Sequence, residues 1–122
     1  NKGRVPVISP ISADENHRSF NVNADNAAAA LAADIGCTGL VFITDVPGVM
    51  DGGKVCRTLS EQGAREHIGR GTIKGGMVAK MMSAFEALAN QVPAVYIVKW
   101  EGISTLQDIA AGKCSSGTIL HK

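Results

Sequence analysis

The chain has 122 residues and a mass of 12.7 kDa, which is enough for one domain with a buried core. Hydrophobic residues make up 45% of the sequence and charged residues 19%, a composition typical of a globular protein and not of a disordered segment. The formal net charge is +1, and the apolar run 27–33 is far shorter than the roughly 20 residues that cross a bilayer, so the sequence predicts neither a nucleic-acid partner nor a membrane span.

The amino-terminal part is predicted to form a strand, a β-hairpin and a helix. The β-branched segment 4–9 is typical of a buried strand, which Pro10 would end. Turn-forming residues at 13–17 separate two short extended stretches and predict a β-hairpin. Apolar residues then recur at helical spacing, so we expect a helix over about 24–35.

The remainder of the chain alternates strands with helices. The segment 40–43 has no polar alternation and is typical of a strand covered on both faces. Further elements are expected in this order: a helix over 60–68 capped by Ser60, a helix over 76–90, a strand over 92–98, a helix over 104–111 capped by Ser104 or Thr105, and a strand over 118–120. This order predicts one α/β domain over residues 1–122, a three-layer sandwich with a mostly parallel sheet and a hairpin near the start.

The first candidate site is the loop that leads into helix 24–35. In open α/β sheets, ligands bind beyond the carboxyl ends of the strands, and this loop carries Asn21, Asn23 and Asp25. Alternation along a strand puts the two amides on one side, where they can bond to a carboxylate or an amine. A purely structural interpretation fits equally well, because Asn23 can cap the helix and Asp25 can complement its positive end.

Two later loops have unusual compositions. The loop after strand 40–43 combines an acid, a hydroxyl and a glycine, although its pattern also fits a plain turn; its residues are Thr44, Asp45, Val46, Pro47, Gly48 and Val49. The loop before helix 76–90 is glycine-dense and contains Thr72, Ile73 and Lys74. Backbone amides at a helix start favour an anion, and glycines let a phosphate approach closely. Lys80 opposes the helix dipole unless an anion lies nearby, but an exposed lysine with a packed stem is an equally plain interpretation.

Other reactive residues form no recognisable site. The three cysteines are widely spaced and the three histidines lack metal-ligand spacing, so we expect no metal site and predict reduced thiols in a cytoplasmic protein. There is no G-x-S-x-G nucleophile motif. The chain starts with Asn1 and not with Met, so we expect it to begin inside a larger protein.

Three motifs together resemble one known family. They are Asn21-Val22-Asn23-Ala24-Asp25, Thr44-Asp45-Val46-Pro47-Gly48 and Gly75-Gly76-Met77-Val78-Ala79-Lys80. In this order and at these separations they are similar to the carboxyl-terminal half of the amino acid kinase family, and within it to the members that phosphorylate N-acetylglutamate. The resemblance extends from the first predicted strand to residues 117–120.

The resemblance implies a reaction and a role for each candidate residue. ATP would transfer its γ-phosphoryl group to the side-chain carboxylate of N-acetyl-L-glutamate, forming an acyl phosphate in arginine biosynthesis. Lys80 would stabilise the transition state, Asp25 would orient the active-site lysines, Asn21 would bind the acyl acceptor and Asn23 would support it. Segments 44–49 and 72–74 would bind ATP. Mg²⁺ would arrive with the nucleotide and without a protein cage, and the whole enzyme is expected to be a homo-oligomer.

The resemblance also predicts what this chain lacks. Family members carry a glycine-rich loop with a second catalytic lysine in their amino-terminal half, and no such loop is found here. We therefore expect the ATP-binding half of a kinase without its acyl-substrate half, unable to turn over alone. Two alternatives remain open: another amino acid kinase acting on aspartate, glutamate or carbamate, or a noncatalytic nucleotide-binding module.

Overall fold

The structure, a computed structural model, describes residues 3–122; the expectation about how the chain begins concerns Asn1 and Lys2 and lies outside them. The helices are α1 (Ala24–Asp34), α2 (Glu61–Gly69), α3 (Gly76–Ala89) and α4 (Ile103–Ala110). The strands are β1 (Ile11–Ala13), β2 (Ser19–Asn21), β3 (Leu40–Thr44), β4 (Met50–Asp51), β5 (Lys54–Val55), β6 (Thr58–Ser60), β7 (Val95–Lys99) and β8 (Thr118–His121).

A four-stranded sheet in the order β3-β7-β8-β6 organises the fold. The pairs β3/β7 and β6/β8 are parallel, and β7/β8 is antiparallel. The antiparallel β1/β2 pair forms the hairpin expected near the start. The α/β fold with a mostly parallel sheet is therefore confirmed, although the sheet is mixed.

The core lies between this sheet and helices α1 and α3. Val95 and Ile97 alternate along β7, point to the same side and are fully buried. Phe42 of β3 and Leu120 of β8 stand beside them in register. Met81 of α3 is also fully buried in this cluster. This packing fixes where the carboxyl end of β3 lies relative to the start of α3.

A second hairpin, β4/β5, was not among the sequence predictions. Gly52 and Gly53 form its turn with φ of +54° and +81°, values that suit a tight two-residue connection. The amide of Cys56 then donates to the carbonyl of Val49 at 2.8 Å, which closes the hairpin onto the loop before it. The short strand β6 was also not predicted.

Two predicted strands differ from the structure. Segment 4–9 is not a strand, because no strand among the described residues pairs with it. It is not buried either, since Val7 is 97% exposed. The prediction that segment 40–43 is covered on both faces is also wrong. Its Phe42 is buried in the core, but Ile43 is 49% exposed, because successive side chains of a strand point to opposite faces and the face with Ile43 is not fully covered.

Two element boundaries differ as well. The expected strand over 92–98 begins only at Val95, because the Val92 amide donates to the Ala87 carbonyl and ends α3, with Gln91 at φ +70°. Helix α4 begins after Gly102 without a capping side chain from Ser104 or Thr105. The Thr105 hydroxyl instead accepts a hydrogen bond from the Glu101 amide.

Candidate functional site

The start of helix α1 fixes Asn23 and Asp25. The Asn23 Oδ1 accepts hydrogen bonds from the amides of Asp25 at 2.9 Å and Asn26 at 3.2 Å, so Asn23 is the helix cap. This bonding leaves the Asp25 side chain in the first helical turn, where the helix dipole stabilises its negative charge. The capping that the sequence suggested for Asn23 is therefore present.

Lys80 meets Asp25 across the interface between α1 and α3. Its Nζ lies 2.6 Å from the Asp25 Oδ1, and the side chains of Lys80 and Asp25 are only 17% and 25% exposed. The ammonium also lies 4.8 Å from the centre of the Phe42 ring, within range of a cation–π contact. The structure thus brings the two candidate residues together and holds the ammonium in a fixed place beside β3.

A second polar contact fixes the same two helices. The hydroxyl of Ser83, which is 2% exposed, lies within hydrogen-bond reach of the Asn26 Oδ1 and of the Ala79 carbonyl. Asn26 follows Asp25 by one residue, and Ser83 follows Lys80 by three. Because this contact joins α1 to α3 about one turn from the Asp25–Lys80 pair, it limits sliding of the helices and keeps that pair in register.

The loop after β3 is held in place by hydrogen bonds within the loop and by a contact to β8. The hydroxyl of Thr44 donates to Asp45 Oδ1 at 3.1 Å and accepts from the Val46 amide at 3.4 Å. The Val49 amide donates to the Thr118 Oγ1 at 2.8 Å in a buried position. Gly48 is buried so tightly that an added Cβ would lie 2.8 Å from that oxygen. The loop is therefore fixed to β8 through its own backbone.

The loop before α3 is also fixed by backbone contacts. The His67 carbonyl accepts hydrogen bonds from the amides of Thr72 at 2.9 Å and Ile73 at 3.2 Å, and Ile73 is 3% exposed. Gly75 has φ +60° and provides no side-chain cap, so within the described residues the first amides of α3 have no capping side chain. Lys74 is exposed beside them.

The two loops line one side each of a cleft of about 150 Å³, here called the loop cleft. The residues that line it are Val46, Gly48, Val49, Met50, Thr72, Ile73, Lys74 and Met77. The volume is below the range of pockets that enclose a whole drug-sized ligand, so it suits one part of a larger molecule. Met77 lies one turn before Lys80 on α3, so the Lys80 end of the Asp25–Lys80 pair is carried by the helix that also borders this cleft.

Asn21 is the candidate residue with the weakest structural connection to the site. It ends β2, pairs in register with Ile11 and is exposed. No hydrogen bond of its side chain occurs within residues 3–122, whereas the Asn23 side chain is committed to the helix cap. Asn21 and Asn23 therefore do not act as a pair on one side of a strand: Asn21 ends β2, and Asn23 caps α1.

Sequence reasoning missed Phe42, Ser83 and His67. Phe42 precedes Thr44 by two residues on β3, so strand alternation could have placed its ring on the side of the ammonium. Ser83 and Lys80 share a helix face at a three-residue spacing, which is a weak signal by itself. His67 could not have been found, because its contacts depend on the unpredicted β4/β5 hairpin.

Two of the cysteines, Cys56 and Cys114, lie in surroundings that disfavour the thiolate. Burial, and then the nearby Asp51 carboxylate, raise the pKa of Cys56. Burial raises the pKa of Cys114 against the opposing effect of Arg57. A raised pKa keeps a thiol protonated and unreactive near neutral pH.

Neither a metal cluster nor a membrane helix is found where the structure describes the chain. Among residues 3–122, no group of three or more His, Cys, Asp or Glu side chains could hold a metal ion. In the same range, no helix is both long and apolar enough to cross a bilayer.

The curated proteins that this chain resembles include several acetylglutamate kinases. The chain is 42% identical over 96 residues to an acetylglutamate kinase from Geobacillus stearothermophilus, covering 79% of this chain and 37% of that protein. It is 39% identical over 118 residues to an acetylglutamate kinase from Bacillus pumilus, covering 97% of this chain and 44% of the relative. The chain thus spans about two fifths of these relatives.

A solved structure shares the fold. N-acetylglutamate synthase from Neisseria gonorrhoeae, complexed with coenzyme A and L-arginine, superposes with a TM-score of 0.81 at 26% identity, over 93% of this chain and 26% of that chain. The description of the amino acid kinase family matches residues 1–99, which include Asp25, Lys80 and both sides of the loop cleft. The chain therefore belongs to the amino acid kinase family.

Proposed function

We propose that this chain is the ATP-binding, carboxyl-terminal part of a kinase that phosphorylates the side-chain carboxylate of N-acetyl-L-glutamate in arginine biosynthesis. The observation that carries the proposal is the 2.6 Å contact between Asp25 of α1 and Lys80 of α3, since α3 also borders the loop cleft. The similarity to acetylglutamate kinases supports this acceptor over aspartate, glutamate or carbamate.

The reaction needs positioned charge and no enzyme nucleophile. An oxygen of the acceptor carboxylate forms a bond to the γ-phosphorus of ATP while the bond from that phosphorus to the ADP oxygen breaks. The product is an acyl phosphate, and negative charge spreads over the transferring oxygens and the leaving ADP. A fixed cation beside these oxygens lowers the barrier because it needs no reorganisation at the moment of transfer.

Lys80 supplies that cation in this proposal. Asp25 holds the ammonium by charge and hydrogen bonding, and the Phe42 ring limits its position from the side of β3. These two contacts restrict where the ammonium can lie, so little reorganisation is needed at the moment of transfer. Asp25 is thus a positioning residue that acts through Lys80, and it also orients any further lysine that the complete enzyme supplies.

ATP occupies the loop cleft in this proposal. Segments 44–49 and 72–74 hold its nonphosphate part, which suits the size and the largely apolar lining of the cleft. The phosphates extend toward the uncapped amides at the start of α3, where the glycines Gly75 and Gly76 allow close approach. Lys74 adds positive charge beside them. Mg²⁺ enters bound to the ATP phosphates as part of the substrate and offsets part of their charge.

The acyl acceptor lies on the side of Asn21 and α1. Asn21 is exposed at the end of β2 and free to bond to the acetylated amino acid, while Asn23 supports that site by fixing the start of α1. The remaining contacts to the acceptor come from the part of the enzyme that corresponds to the unmatched length of the relatives. We therefore propose that residues 1–122 alone do not turn over, and that the whole enzyme is a cytoplasmic homo-oligomer.

A chimera tests the proposal. The segment of the Geobacillus stearothermophilus acetylglutamate kinase that this chain matches is replaced by this chain, and ADP release is measured with MgATP and each of four acceptors. We expect turnover with N-acetyl-L-glutamate that exceeds turnover with L-glutamate, L-aspartate or carbamate. The unaltered Geobacillus enzyme and a reaction without acceptor are the controls.

Three results would contradict the proposal. Preferential phosphorylation of free glutamate, aspartate or carbamate by the chimera would contradict the choice of acceptor. A folded chimera that binds MgATP but transfers nothing would favour a noncatalytic nucleotide-binding module. Acceptor-dependent ADP release by residues 1–122 alone would contradict the assignment as an incomplete half.

A further inference from the structure

His67 stands out because its imidazole is largely buried without a hydrogen bond. The side chain is 14% exposed, and its Nδ1 has no hydrogen-bond partner among the described residues. The nearest acidic oxygen is Oδ2 of Asp51, 4.0 Å away, which is beyond hydrogen-bond distance. Leaving a buried ring nitrogen unpaired is unfavourable, so a histidine that served only to fill space would be a poor choice here.

The position of His67 connects both sides of the loop cleft. Through its backbone carbonyl it holds the amides of Thr72 and Ile73, which line one side. Through its imidazole it faces Asp51, which directly follows Met50 on the other side. A contact between the His67 imidazole and the Asp51 carboxylate would therefore join helix α2, on one side of the cleft, to the β4/β5 hairpin on the other.

The carboxylate of Asp51 has no competing strong partner. Its side chain is 52% exposed, and the hairpin register places Lys54 opposite it, but no ion pair joins Asp51 to Lys54 among the described residues. Its negative charge also reaches Cys56, whose pKa it helps to raise. Glu66 and Arg70, the charged neighbours of His67 on α2, pair with each other instead.

We propose that His67 is a positioning residue for the nucleotide: as the loop cleft closes on ATP, the imidazole Nδ1 donates a hydrogen bond to the Asp51 carboxylate and joins the two sides. The separation must shrink by about 1 Å for this bond to form. The hairpin is a two-stranded unit of two-residue strands and can move by this amount more readily than the central sheet. The inference rests on the proposed function, because it takes the loop cleft to be the ATP site.

Four variants of the chain test this contact. His67→Leu removes the donor and keeps an apolar side chain, and His67→Asn keeps a donor near the Nδ1 position. Asp51→Asn removes the acceptor charge, and the fourth variant combines His67→Leu with Asp51→Asn. The dissociation constant of MgATP is measured by calorimetry for each variant after circular dichroism has shown that it is folded. His121→Leu, an exposed change on β8, is the matched control.

The expected pattern separates positioning from simple packing. We expect His67→Leu and Asp51→Asn each to weaken MgATP binding by about three- to tenfold, and the double variant to be no weaker than either one. His67→Asn should bind within about twofold of the parent, because it restores the hydrogen bond. In addition, MgATP should slow hydrogen exchange of the Thr72 and Ile73 amides in the parent and in His67→Asn more than in His67→Leu.

The failures of the two proposals are distinguishable. If the parent chain binds MgATP and His67→Leu binds equally well, the role of His67 is overturned while the ATP site stands. Additive losses in the double variant would likewise overturn the contact between His67 and Asp51. If the parent chain shows no MgATP binding, the assignment of the loop cleft fails, and the role of His67 fails with it.

Discussion

The ammonium of Lys80 lies 2.6 Å from the carboxylate of Asp25, although the two residues are 55 positions apart in the chain. Their helices pack side by side, and the buried Ser83 hydroxyl beside Asn26 holds them in register. Neither residue is buried deeply enough to lose contact with water, so the ammonium remains accessible to a ligand. This combination of order and access is what charge stabilisation in a transition state requires.

Replacing Lys80 tests whether this order serves catalysis. In the chimera, we expect Lys80→Ala to lower kcat by about a hundredfold or more, while the dissociation constant of MgATP changes much less, because the interaction strengthens in the transition state. Steady-state kinetics and calorimetry measure the two effects. Lys113→Ala, a change of an exposed lysine after α4, is the control and should leave both unchanged. A loss of stability without a loss of turnover per folded molecule would make Lys80 structural.

Glycine at the start of α3 can be tested separately from stability. An added Cβ at Gly76 meets no atom within 4 Å and the residue has no positive φ, so Gly76→Ala should stabilise the helix by up to about 1 kcal/mol. If phosphates approach the backbone there, the same methyl group should weaken MgATP binding. Gly69→Ala, at the open end of α2, is the matched control that should affect stability alone. Unchanged MgATP binding in Gly76→Ala would argue against phosphates at this helix start.

Gly117 should be essential for folding. Its φ is +106°, and an added Cβ would lie 2.6 Å from the Ile97 carbonyl oxygen, which belongs to the central strand and cannot move away. We expect Gly117→Ala to cost about 3 kcal/mol or more in the free energy of unfolding, measured by urea denaturation. Gly53→Ala separates strain from collision, because Gly53 has φ +81° and open space around it, and it should cost only about 1–2 kcal/mol. Equal losses in the two variants would contradict the proposed collision.

Cys56 should react with alkylating reagents only at raised pH. Burial and the Asp51 carboxylate both disfavour the thiolate, so the reaction with iodoacetamide should rise with pH later than for an ordinary cysteine. Asp51→Asn removes the repulsion, lowers the pKa of Cys56 and should move the rate profile toward lower pH. Mass spectrometry of the Cys56 peptide measures the rate, and a profile that does not move would place the Asp51 charge out of reach of the thiol.

The sequence predicted those features that depend on local patterns. Helix α3 has a continuous apolar stripe and a glycine before it, and Ser60 caps α2 as expected through a bond to the Gly63 amide. Residues from segments 44–49 and 72–74, which the sequence singled out by their composition, line one cleft, and their role in binding ATP stays a prediction. In each case the signal is contained within a few turns of chain.

The features that the sequence did not predict depend on partners distant in the chain. The β-branched residues of segment 4–9 favour a strand, but a strand also needs a neighbour to bond with, and propensity does not supply one. Gln91 adopts φ +70° because the end of α3 bonds to Val92, which residue type alone does not indicate. The His67 site requires the fold of a hairpin with two-residue strands, which is too short to show any periodicity.

The exposed segment before β1 affects how this chain behaves as a sample. Val5 and Val7 are 87% and 97% exposed in a segment without a pairing partner among residues 3–122, and β3 adds an open sheet edge. Such edges recruit strands from other molecules, and a net charge of +1 gives little mutual repulsion to oppose it. Colloidal self-association should therefore grow with protein concentration, and dilute solutions are the proper condition for every titration described above.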